Sequence, residues 1–122
     1  MSNELETLAR RAIACKHWEW LPGMLAIMPA SRTTTARVSD VGWCSDESDL
    51  PDLSDPATLG CLLALVRKAW KQPSISTRYS EYQDRVEWDV PTPVEQERMR
   101  DILFFTGQTE AEALVAALEA AP

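Results

Sequence analysis

Leu50-Pro51-Asp52-Leu53-Ser54-Asp55-Pro56-Ala57-Thr58-Leu59-Gly60-Cys61-Leu62-Leu63-Ala64-Leu65-Val66-Arg67 is an acidic, proline-marked approach to a nearly all-apolar helix. Asp55 fits the N-cap, where a short side-chain oxygen accepts from a free backbone N–H. Pro56 fits the first helical turn, where a missing N–H costs nothing. The helix is expected to reach about Lys71, because Pro73 cannot continue it. Leu59, Leu62, Leu63, Val66 and Trp70 share its main face. Ala57, Cys61, Ala64 and Leu65 widen that face, which predicts cover on more than one side. Gly60 inside a helix costs ~1 kcal/mol relative to alanine, and a close backbone approach would account for it.

Upstream, residues 4–16 predict a first helix, with Leu5, Leu8, Ala9, Ala12 and Ile13 on one face and Asn3 and Glu6 placed as a capping box. Pro22-Gly23 reads as a turn. Residues 24–28 predict a buried strand. Residues 36–43 alternate weakly and predict a second strand with one wet face. Residues 45–55 predict an acidic loop.

Downstream, residues 74–80 and 85–90 predict a polar hairpin turning at 81–84 and ended by Pro91-Thr92-Pro93. Residues 94–100 predict a short charged helix or an ordered loop, and residues 101–106 a last strand stopped by Gly107. Thr109 and Glu112 form a capping box for a final helix whose inward face is Ala111, Leu114, Val115 and Leu118. The expected order is α-β-β-α-β-β-β-α, with the short helix before the last strand. Hairpins between helices predict an α+β fold, one antiparallel sheet of about 4–5 strands packed with three main helices.

At 122 residues the chain predicts one domain with a sizeable core. No apolar run reaches the ~18–20 residues that span a bilayer, and the first residues lack the basic and apolar regions of a signal peptide. Both point to the cytoplasm of the cell in which the chain is made. Cys15, Cys44 and Cys61 are odd in number, widely spaced and without a CxxC pair, which predicts reduced thiols. The formal net charge of −7 disfavours duplex nucleic acid as a partner. Its simplest role is solubility, and it also suits a basic partner.

Three islands carry a resemblance. They are Trp18-Glu19-Trp20-Leu21-Pro22-Gly23-Met24, the segment 50–67 quoted above, and Glu112-Ala113-Leu114-Val115-Ala116-Ala117-Leu118-Glu119-Ala120-Ala121. Together they resemble a family of small phage- and prophage-encoded proteins. The middle island is the specific one, and residues 75–107 resemble the family least. The resemblance implies a phage origin and an accessory role, with no catalytic residues to carry over.

The chemistry must therefore come from the residues. His17 is the sole histidine, and Cys15, His17 and Glu19 at alternate positions cannot share a helix face. Asp46, Glu47, Asp49, Asp52 and Asp55 are dense, but lack the glycine and closing glutamate of a calcium loop. No phosphate loop, GxGxxG, GxSxG or HExxH occurs. Neither an enzyme nor a metal or cofactor site is expected.

The five tryptophans, Trp18, Trp20, Trp43, Trp70 and Trp88, are many for this length. Their bland role is core or half-buried sheet. Two binding functions are expected beyond that. The first is inhibition of a host defence protein, such as a CRISPR effector, with Trp18, Trp20 and Trp43 as anchors and Asp46, Glu47, Asp49 and Asp52 facing a basic channel. The second is sequestration of a nucleotide signal by Arg32, Arg37, Arg78, Arg85 and Trp88, which can stack a base and hold its phosphate. A virion or replication accessory role is the third expectation. Open sheet edges also suit a homodimer.

Overall fold

The structure is a computed structural model that describes residues 3–28, 34–39, 49–82, 85–96 and 99–122. Helix α1 (Asn3–Ala14) is followed by strands β1 (Leu25–Met28), β2 (Thr34–Arg37) and β3 (Leu50–Pro51). Helix α2 (Pro56–Trp70), strands β4 (Arg78–Tyr82), β5 (Arg85–Gln96) and β6 (Met99–Gly107), and helix α3 (Glu110–Ala120) complete the order. The class is α+β, as expected. The single sheet of 4–5 strands is corrected to two antiparallel three-stranded sheets, ordered β2-β1-β3 and β4-β5-β6. The extra strand is β3, inside the segment expected to be all loop. Leu50 and Pro51 pair with Ile27 and Ala26 of β1.

The pairing of α2 with the first sheet follows from a polar cluster at its start. Asp55 has extended backbone and caps the helix, accepting from Thr58 N at 3.0 Å and from Thr58 Oγ1 at 2.9 Å. Arg37 donates to the same carboxylate at 2.6 Å and to the Gly23 carbonyl at 3.0 Å. The fully buried Thr58 hydroxyl in turn accepts from Leu25 N at 2.9 Å. One buried hydroxyl and one carboxylate thus tie α2 to β1, β2 and the Gly23 turn. Gly23 itself sits at φ +99°, a conformation L side chains rarely adopt.

The Asp55 carboxyl is held below the usual carboxylate range, chiefly by its hydrogen bond from Arg37 and then by those from Thr58. Stabilisation from a lowered pKa is present above the unfolded value and lost as pH falls through the folded one. Asp55 therefore stabilises the protein at neutral pH, and that share disappears in the acid range below about pH 4. Thermal melts of Asp55→Asn and wild type are expected to differ at pH 7 and to converge in acid. Equal differences at both pH values would refute the assignment.

The buried face of α2 is Thr58, Leu62, Leu65 and Val66. Ala57, Gly60 and Ala64 are exposed, so cover on more than one side belongs to another helix. That helix is α3, where Ala111, Ala113, Leu114, Val115, Ala117 and Leu118 are all buried. It contacts α1, α2, β5 and β6. Alanines at 113 and 117 let neighbours approach closely on a side where larger residues would hold them off. The close approach expected at Gly60 is also corrected, since a Cβ there meets nothing within 4 Å. Among the described residues the tight glycine is Gly107, under the first turn of α3. A Cβ there would lie 2.5 Å from Glu112 Cβ and 2.8 Å from Ala113 N.

Thr109 caps α3 as expected, accepting from Glu112 N at 3.2 Å. The Glu112 carboxylate reaches back one residue further than a standard box, accepting from Gln108 N at 2.9 Å. At α1, Glu6 pairs with Arg10 at 2.8 Å rather than closing a box, and the helix already includes Asn3.

Of residues 94–100, expected as a short helix or loop, the described ones, 94–96 and 99–100, are strand. β5 runs through Pro91 and Pro93 to Gln96, and β6 answers it from Met99, with Pro91 opposite Phe104 and Pro93 opposite Ile102. β4 pairs with β5 only up to Asp89, so beyond that point β5 and β6 form a two-stranded ribbon. Proline has no N–H, and residues two apart aim their backbone groups the same way. Since β5 stays paired with β6 through both prolines, the missing donors belong to the edge facing away from β6. Prolines are tolerated in strands at such an edge.

Candidate functional site

Paired residues on adjacent antiparallel strands share a face, and neighbours along a strand alternate. On one face of the second sheet, Val90 is fully buried and Phe105 packs against the core, its ring 5.7 Å from that of Trp70. Trp88 shares this face and meets Tyr79 edge-on at 5.3 Å. The opposite face carries Arg78, Asp89 and Phe104. Arg78 donates to both oxygens of Asp89, at 3.0 and 3.1 Å, and its guanidinium lies 5.7 Å from the Phe104 ring centre. Asp89 is buried, while Phe104 is 53% exposed and Tyr79 50%. These two are the large hydrophobic side chains left exposed among the described residues.

The residues expected at a site are scattered. Trp18 and Trp20 touch edge to face at 5.4 Å and pack half-buried against the core. Asp49 is buried, and Asp52 accepts from Ser54 N at 3.0 Å. Arg37 is bound to Asp55 on the first sheet, and Arg78 to Asp89 on the second. Arg78 and Trp88 sit on neighbouring strands but on opposite faces. Arg85 opens β5, opposite Tyr82. Arg32, Trp43, Asp46 and Glu47 lie outside the described residues, as does Cys44.

Two thiols are placed. Cys15 donates to the Arg11 carbonyl at 3.3 Å, and Cys61 to that of Pro22 at 3.5 Å. Burial raises both pKa values, so both stay protonated at neutral pH and are poor nucleophiles. His17 Nε2 is hydrogen-bonded to the Pro122 carbonyl oxygen at 2.7 Å and not to Cys15. Among the described residues no group of three His, Cys, Asp or Glu is placed to hold a metal ion. No helix among them is long and apolar enough to cross a membrane.

Phe104 and Tyr79 were missed as candidates, although a signal for one of them exists. Phe104-Phe105 in a strand must point to opposite faces, so when one enters the core the other leaves it. Tyr79 has no such marker. A concavity of about 610 Å³ lies elsewhere, beside Trp18, Trp70 and the ends of α1 and α2. Comparison of the chain with protein-family models, curated proteins and solved structures finds no match in any of the three.

Proposed function

We propose that this is a phage-encoded accessory protein that acts by non-catalytic binding and inhibits a host defence protein such as a CRISPR effector. The observation that carries the reading is Phe104, half-exposed under the Arg78 guanidinium where β5 and β6 leave the three-stranded part of the sheet. An aromatic ring held by an arginine, itself fixed by a buried carboxylate, is a rigid anchor of the kind that dominates protein interfaces. The ring loses little entropy on binding, because Arg78 and Asp89 already order its surroundings. The net charge of −7 favours a basic partner and speeds encounter with it.

The test is native mass spectrometry of the protein purified from phage-infected cells. A host protein is expected in stoichiometric complex. Phe104→Ala is expected to weaken that complex by about thirtyfold, the effect of a typical anchor. Recovery of the protein without a protein partner, or a complex indifferent to Phe104→Ala, would sink the proposal.

A further inference from the structure

The chain has only three lysines, Lys16, Lys68 and Lys71, and all three line the same 610 Å³ cleft. They come from distant parts of the sequence. Lys16 follows α1, while Lys68 and Lys71 stand in the last turn and at the C-cap of α2. Trp18 and Trp70 form the aromatic part of the lining, and Glu19 is its one carboxylate side chain. In a protein of net charge −7, this is a local reversal of sign.

We infer that the cleft binds a nucleoside phosphate, with the base against the tryptophans and the phosphates on the lysines. Its volume falls within the ~300–1,000 Å³ usual for small-molecule sites. Planar indoles accept any base face by stacking, and an ammonium group on a flexible stem holds phosphate as a point charge. Lys16 and Lys71 make no ion pair among the described residues. Lys68 is tied to Glu19 at 3.0 Å, but both are well exposed, at 73% and 48%. Such a surface pair is worth only ~0–1 kcal/mol, so exchanging Glu19 for a phosphate costs little.

Two further details agree. Lys71 occupies the left-handed conformation at φ 55°, a position where helices favour glycine. The sequence thus accepts backbone strain where it places a cation on the cleft. The Trp18 indole N–H is buried and has no acceptor among the described residues. A small rotation of the ring toward the cleft would offer it to a ligand oxygen or ring nitrogen. Helix C-termini favour cations on their own account. That effect explains stability at each helix end, but predicts no ligand, and the two roles separate by experiment.

The protein is titrated with ADP, GDP, CDP and UDP, and with inorganic pyrophosphate, by calorimetry and tryptophan fluorescence. At least one nucleotide is expected to bind with quenching, and pyrophosphate to bind far more weakly. The double variant Lys16→Gln/Lys71→Gln is expected to weaken binding by about tenfold or more, as loss of charge-assisted contacts does. Glu19→Gln is expected to tighten binding a few-fold by removing the competing carboxylate. Arg10→Gln, which removes a positive charge outside the cleft, leaves binding unchanged and controls for net charge. The inference falls if no nucleotide binds or if pyrophosphate binds as well as the nucleotides. It also falls if the lysine variants change melting temperature alone. It stands apart from the protein-binding proposal, since Phe104→Ala leaves nucleotide binding intact.

Discussion

Gly107→Ala is expected to lower stability by about 3 kcal/mol, at the upper end of the overpacking range. The new methyl group meets the Glu112 Cβ and the backbone nitrogen of Ala113. Neither is the far end of a flexible side chain, so the first turn of α3 or the end of β6 must shift. Either movement disturbs the described helix with the most continuous burial. Gly60→Ala provides the internal contrast. Its methyl points into open space on a helix, and it is expected to add up to ~1 kcal/mol. Chemical denaturation of the two variants reads both numbers. Shifts of the same sign would refute this account of the two glycines.

Trp70→Ala is expected to cost about 3 kcal/mol, the lower end for truncating a large aromatic residue, because the side chain is half-buried. Its ring packs against Phe105 across the sheet interface. Its indole N–H donates to the Ala117 carbonyl at 2.8 Å, joining α2 to α3. Trp70→Phe keeps most of the packing and loses the bond, for a cost of ~1 kcal/mol. A ratio near one between the two losses would mean that the hydrogen bond, not the packing, joins the helices.

The helices were legible because their information is local. Asp55-Pro56 and Thr109 mark their starts, and leucines at 3.6-residue spacing mark their buried faces. The sheets were less so, because pairing is decided between distant segments. β3 is two residues long and exists only because β1 lies beside it. Pro91 and Pro93 read as a stop, since the sequence does not reveal that their strand has a free edge at that point. Gly60 and Gly107 look alike in a sequence, and only the neighbours in space tell them apart. The same holds for the lysines. Residues 16, 68 and 71 become one group only once the segment after α1 and the end of α2 line one cleft.

The prolines of β5 also limit how copies of this protein can join. An incoming strand at the proline-bearing edge of the ribbon would find two donors absent, whereas the outer edge of β6 carries no proline. Beyond Asp89, where β4 no longer covers β5, two ribbons pairing through β6 would leave their proline-bearing edges outside. Growth beyond that point along the ribbon would meet an edge short of two donors, and the outer edge of β4 is left as the sheet's other open side.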